Sequence, residues 1–137
     1  MRKSITQKFD YGCGVACFAF ATNLTYKQAE MYLGERQSSK TRFWVKDLAK
    51  SLNQFGRKYT YKYVKPKIHK LIYAEGSIVL IRRSNIYPYG HYLIRHNNLW
   101  MDPWINLPFN KNIKNAKSGY RKRLPGQPMY VILPTDI

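Results

Sequence analysis

Cys13 stands between two glycines, Gly12 and Gly14, where an apolar stretch (residues 15–21, Val-Ala-Cys-Phe-Ala-Phe-Ala) begins. Nucleophilic chemistry at a cysteine has three requirements. The thiolate rather than the thiol must attack, an imidazole must take and return the proton, and donors must face the oxyanion that develops. A helix beginning at Cys13 would bring partial positive charge and free N–H groups to the sulfur. The flanking glycines would let a substrate backbone approach closely. Cys17, one turn further along among apolar neighbours, reads as an inert core thiol.

The chain has three histidines. His69 lies in a Lys-rich connector (Lys67-Ile68-His69-Lys70) and reads as a solvated surface residue. His96 falls at the tip of an expected hairpin. His91 opens an expected strand after Tyr89-Gly90, and of the three it alone is expected to have a carboxylate placed to orient it, Asp102. A hairpin loop of even length centred between residues 96 and 98 would put positions 91 and 102 on one sheet face, opposite or diagonal to each other. An odd loop would put them on opposite faces. An acid that sets the imidazole tautomer is the usual third member of such a site. Singly, each residue has a plainer explanation: packing for a cysteine at a helix start, a structural donor for a strand histidine, a turn opener for an Asp before Pro. Their combined spacing points to a nucleophile, a base and an orienting acid.

The elements that must position these groups are legible as patterns. The apolar stretch from Gly14 to about Asn23 suits a buried helix. Thr25 is placed to cap a second helix, Tyr26 to Leu33, closed by Gly34. Residues 35–42 read as a polar surface loop. A third helix is expected from about Phe43 to Phe55, with Leu48, Leu52 and Phe55 inward and Gly56 as its stop. Strands follow: Arg57 to Val64 with Tyr59, Tyr61 and Tyr63 on one side, Ser77 to Arg82 in a central position, Gly90 to Arg95 and Leu99 to Asp102 as a hairpin, and Met129 to Leu133. Residues 105–127, rich in Asn, Lys, Gly and Pro, read as a long basic loop. Helices first and an antiparallel sheet after them make an α+β domain, and residues 1–137 are expected to form one domain.

Lys and Arg number 24 against 7 Asp and Glu, a net charge of +17. Such an excess bears on partners rather than on fold: nucleic acid, an anionic membrane surface or an acidic protein. No apolar run is long enough to span a bilayer. The N-terminus starts with positive charge but lacks the apolar core of a signal peptide. Two cysteines cannot form a disulfide framework, and Cys13 and Cys17, four apart on a helix, would be strained as a pair. Free thiols in a reducing cytoplasm are the expectation. Nothing in the expected chemistry needs a metal or cofactor.

At these residues the chain resembles the papain-like cysteine peptidases that process double-glycine leader peptides, among them the peptidase domains of bacteriocin exporters. Gln7, then five residues, then Cys13-Gly14 and a helix of small and apolar residues match that family's first block. Gly90-His91-Tyr-Leu-Ile followed by Asp102-Pro103 matches its second. Phe43 to Leu52 and Glu75 to Ile81 are similar to the intervening helix and strand, so the likeness runs from about residue 5 to residue 104. It implies a papain-like fold and a cysteine endopeptidase acting on a peptide or protein, with Cys13 as nucleophile, His91 as base, Asp102 as orienting acid and Gln7 as a side-chain donor to the oxyanion. Two positions depart from the family: Gly12 where Asp is usual, and Val15 where Pro is frequent. With no transporter segment in view, a stand-alone module is expected. An amidase or acyl transferase would use the same residues. The competing reading is a modified or inactive peptidase fold that binds nucleic acid or an acidic protein through its basic surface.

Overall fold

The structure is a computed structural model, and it describes residues 2–34 and 42–135. Among these residues three α-helices come first: α1 (Cys13–Thr22), α2 (Tyr26–Leu33) and α3 (Val45–Phe55). Six strands follow, interrupted by two short 3₁₀ helices: β1 (Tyr59–Tyr63), β2 (Ile78–Ile81), β3 (His91–His96), β4 (Leu99–Asp102), β5 (Gly119–Arg121) and β6 (Pro128–Pro134). They form one antiparallel sheet in the order β1-β6-β2-β3-β4-β5. The fold is therefore α+β, as the order of patterns implies. The expected loop at residues 35–42 lies, apart from Arg42, outside the described residues.

Each helix forms for a local reason. Nearly every residue of α1 is buried, as an apolar helix without a polar face must be. In α2 the Thr25 side chain accepts the Gln28 N–H while the Gln28 side chain accepts the Thr25 N–H, a complete capping box. In α3 the buried residues Val45, Leu48, Ala49 and Leu52 recur at helical spacing, and Gly56 ends the helix at φ 105°.

The sheet separates two apolar layers. Ile78, Tyr92, Ile94, Met101 and Ile132 face α1 and α3. Val79, Leu93, Trp100 and Val131 face the other way and are covered by Ile72 of the 3₁₀ helix Pro66–Tyr73 and by Leu107 and Leu124. β2 and β3 are thus buried on both faces, which is why they read as near-continuous apolar runs. Between β3 and β4 the turn is two residues, Asn97 and Asn98, both with positive φ (50° and 64°). This is the twist-matched turn of a tight hairpin, and asparagine tolerates it. The loop length is even, and Ile94 pairs with Met101; positions 91 and 102 accordingly share a face as diagonal neighbours.

The segment 105–127 is more structured than a basic loop. It contains the 3₁₀ turn Ile113–Asn115 and the edge strand β5. The Asn106 side chain clamps it, donating to Asn115 O at 3.0 Å and accepting the Lys117 N–H at 2.8 Å. The N-terminal segment runs beside it: Thr6 Oγ1 accepts the Ser118 N–H, and Tyr120 Oη donates to Arg2 O.

Gly90 leads the chain into β3 with φ 75°, in a turn closed by its N–H to Tyr87 O at 3.0 Å. A Cβ there would lie 2.8 Å from Ile81 O. Gly90→Ala should therefore cost about 1–3 kcal/mol from the left-handed backbone and the forced displacement. Urea denaturation measures this, and an unchanged midpoint would show that the turn relaxes freely.

Candidate active site

His91 is the first residue of β3, and Cys13 is the first residue of α1. The helix start and the strand start meet at one cleft, which both residues line. The close approach depends on the glycines. A Cβ on Gly14 would come within 2.9 Å of Phe43 Cβ, and a Cβ on Gly12 would overlap Tyr26 Oη. The aspartate usual in the resembled family has no room at position 12.

His91 donates from Nε2 to Asp102 Oδ1 at 2.7 Å, and both side chains are buried. With Nε2 so engaged, Nδ1 is the ring nitrogen left to exchange a proton with Cys13. The Asp102 carboxylate is held at both oxygens: Oδ1 also accepts the Trp104 N–H at 3.0 Å, and Oδ2 accepts from Arg121 Nη1 at 3.1 Å. Asp102-Pro103-Trp104 thus forms a tight Asp turn that fixes the acid from its own backbone. The Tyr87 ring stacks on the imidazole, with centroids 4.9 Å apart and planes 20° apart.

Burial by itself would drive the His91 imidazole neutral. The Asp102 charge and hydrogen bond, aided by Cys13, override it and lift its pKa from 6.5 to about 10. Burial pushes the Asp102 carboxyl up, yet His91, the Trp104 N–H and Arg121 hold it below the ordinary carboxylate range. The pair is a buried imidazolium–carboxylate at neutral pH. Burial raises the pKa of the Cys17 thiol well above its usual value, so the second cysteine is a core group.

The first helical bond of α1 runs from Ala16 N–H to Gly12 O at 2.9 Å, and Gly12 supplies no side-chain cap. The N–H groups of Cys13, Gly14 and Val15 precede it and face the helix start. Gln7 lines the same cleft and is buried, and its backbone N–H donates to Pro103 O at 3.2 Å, which ties the segment before Cys13 to the segment after Asp102. Its side-chain amide nitrogen is already engaged, Nε2 donating to Phe9 O at 2.9 Å and to Asp10 O at 3.3 Å, while Oε1 is buried without a hydrogen-bond partner among the described residues. Gln7 therefore braces the turn ahead of Cys13, and its amide meets an oxyanion only by exchanging one of those bonds.

The cleft has two lobes about the Cys13–His91 pair. One is a cavity of about 290 Å³ reaching Tyr87, Trp104 and Lys111. The other is a shallow notch of about 50 Å³ at Arg42, Phe43 and Trp44. Tyr11 and Tyr89 line both lobes, their rings in edge contact at 5.0 Å.

Of the other histidines, His69 is exposed on the 3₁₀ helix. His96 corrects one expectation: His91 is not alone in having a carboxylate, because His96 Nδ1 lies 2.7 Å from Glu75 Oε2. That pair sits five residues along β3, about 17 Å from His91 at strand rise, where it clamps the hairpin turn by accepting the Asn97 N–H. Three residues that touch the pair did not stand out in the sequence. The Trp104 N–H follows from an Asp-Pro-X turn and was there to be found. Tyr87 and Arg121 arrive by tertiary packing and carry no local signal. Among the described residues no group of His, Cys, Asp or Glu is arranged to hold a metal ion, and no helix is long and apolar enough to cross a membrane. No protein-family model matches the chain, and neither does any curated protein.

Because the folded pKa of His91 is raised, its contribution to stability is complete below 6.5 and is lost as pH rises through about 10. The wild-type melting temperature should decline across that window. In Asp102→Asn the two larger raising causes are gone and only Cys13 still opposes burial at His91, so most of this component of the decline should vanish. Parallel melting curves for the two proteins across the window would contradict the assignment.

Proposed function

We propose that this chain is a cysteine peptidase of papain-like fold, related to the double-glycine leader peptidases, that hydrolyses an amide bond in a peptide or protein. One observation carries the reading: a buried histidine, oriented at 2.7 Å by a doubly anchored aspartate, shares a cleft with a cysteine at a helix N-terminus. The order Gln7…Cys13-Gly14, then Gly90-His91…Asp102-Pro103, supports the same family independently of that geometry. A reducing, cytoplasmic setting suits the two free thiols.

The chemistry follows from the contacts. The Cys13 thiolate attacks the scissile carbonyl carbon beside the cationic His91, and the carbonyl electron pair moves to oxygen. The Cys13 N–H at the start of α1 is a donor for that oxyanion. As the C–N bond breaks, His91 gives its Nδ1 proton to the departing amine and leaves a thioester. Water then attacks the thioester carbon, His91 takes the water's proton, and Cys13 leaves with the product acid free. Asp102 keeps Nε2 protonated throughout, so Nδ1 is the nitrogen that shuttles. An amidase or acyl transferase differs only in the acceptor of the acyl group.

Iodoacetamide at neutral pH should alkylate Cys13 selectively, with Cys17 protected by burial. His91→Ala should slow the reaction by at least about ten-fold, and Cys13→Ala should abolish any peptide hydrolysis. Mass mapping of the alkylated thiol decides it; equal labelling of the two cysteines, or rates indifferent to His91, would sink the reading.

A second reading rests on the charge. Among the described residues, Arg121 is the one Lys or Arg that pairs with a carboxylate. Apart from the half-buried Arg42 and Arg95, which stack on aromatic rings, the other described cations face solvent alongside exposed aromatics such as Tyr61 and Tyr63 on the edge strand β1. Unpaired cations interleaved with aromatic rings suit a nucleic acid strand, through phosphate contacts and base stacking. Retention of the Cys13→Ala protein on single-stranded DNA should then fall steeply between about 50 and 200 mM salt. A flat salt response would remove this reading and leave the peptidase reading untouched.

A further inference from the structure

We propose that Arg121 is a positioning residue of the Cys13–His91 site, holding the second oxygen of Asp102 and dividing that carboxylate's charge between itself and His91. The inference rests on the peptidase reading above and adds a residue that the resemblance to leader peptidases does not supply.

The geometry begins with register. Trp100 pairs with Arg121 and Asp102 pairs with Gly119, so Arg121 lies diagonal to Asp102 on the sheet face that also carries His91. Its Nη1 reaches Asp102 Oδ2 at 3.1 Å, and its Nε is held by Arg123 O at 2.9 Å, which fixes the plane of the guanidinium. The Asp102 side chain is 0% exposed and that of Arg121 is 29% exposed. The contact therefore lies at the inner end of a side chain that reaches out towards water.

Charge counting shows what this contact changes. A buried aspartate facing only a histidine makes a neutral imidazolium–carboxylate pair, in which the acid grips the imidazole proton. Adding the guanidinium leaves the three groups with one net positive charge. A thiolate at Cys13, or the oxyanion formed after attack, is the group that balances it. Arg121 also competes for the carboxylate and so loosens its hold on the His91 proton, which must leave for the departing amine. Tyr87 stacked on His91 and beside Arg121, Tyr92 on β3, and Cys17 on α1 all have raised pKa values and stay neutral. Asp10 and Arg42 are charged and line the cleft mouth, with Asp47 further back towards Tyr92, but none of them is bonded to Asp102. Lys111 lines the far lobe of the cleft and has no contact with Asp102. In a chain with 24 cations and 7 acids, this is the one described Lys or Arg committed to a carboxylate, and that carboxylate is the one behind His91.

Two variants separate charge from shape. Arg121→Gln keeps a donor near Oδ2 without the charge, and Arg121→Lys keeps the charge without the fork. Three measurements are made on each full-length variant and on wild type: the His91 imidazole titration by nitrogen NMR, the pH profile of Cys13 alkylation by iodoacetamide, and a thermal melt. In Arg121→Gln the His91 midpoint should move to higher pH, and the alkylation profile should move with it. Neutral-pH alkylation should fall about ten-fold, the scale of one charge-assisted contact. Arg121→Lys should stay near wild type in the first two. A folded Arg121→Gln protein with an unmoved His91 midpoint and an unmoved profile overturns the proposal. So does one whose only change is a lower melting temperature, since that marks a sheet-edge brace. The outcome for the peptidase reading is separate: if wild-type alkylation ignores His91→Ala while Arg121→Gln still shifts the His91 midpoint, the catalytic reading fails and the Arg121 coupling stands.

Discussion

Burying a carboxylate is costly unless its charge and its lone pairs are met, and removing one partner of such a group typically costs several kcal/mol. Asp102, with no exposed side-chain surface, is the point where this protein faces that constraint. Its partners come from three separate places around the strand β4 that carries it: His91 at the start of β3, the Trp104 N–H in the following turn, and Arg121 on the edge strand β5. The arrangement works only if β3, β4 and β5 hold their registers, because a slip of one residue would turn His91 or Arg121 to the opposite face. The two-residue Asn97–Asn98 turn sets the first register, and the Asn106 clamp with the Thr6–Ser118 contacts supports the second.

The helix side is organised around the same point. α1 is apolar on every side and is therefore driven into the layer between sheet and helices, which leaves its N-terminus as the one polar feature available to the cleft. Gly12 and Gly14 remove the side chains that would hold that N-terminus away from Tyr26 and Phe43. The Gln7 N–H to Pro103 O bond then joins the chain before the helix to the chain after Asp102. Cysteine and histidine are thereby carried on two rigid elements whose ends are stitched together, as a preorganised site requires.

The charge of the molecule divides into two populations. Most of the described cations stand in solvent and set long-range attraction to anions. One is drawn inward to Asp102, where low dielectric makes a single charge count for far more than at the surface. Residues 105–127 contribute to both: lysines outside, Arg121 inside.

How much of this was legible depended on whether the signal was local. The three helices were readable because burial periodicity, the Thr25 cap and the Gly34 and Gly56 stops all lie within a few residues of the helix they define. The β3–β4 hairpin was readable for the same reason, and with it the shared face of His91 and Asp102, which is a parity condition on a short loop. The strand β5 was not, because residues 119–121 acquire strand geometry only by pairing with β4 across a stretch ordered by Asn side chains, a device without periodicity. Nor was the insertion of β6 between β1 and β2, since no local pattern encodes which distant strand lies alongside. The engaged amide nitrogen of Gln7 likewise depends on where the carbonyls of the 9–12 turn point. Sequence alone determined that Cys13 stands at a helix start and that His91 and Asp102 share a face of the hairpin, because those positions follow from nearest-neighbour geometry. Tertiary structure alone decided which cation stands behind the acid and how its charge is shared, because electrostatic partnership depends on distance in space across chain separations that sequence does not constrain.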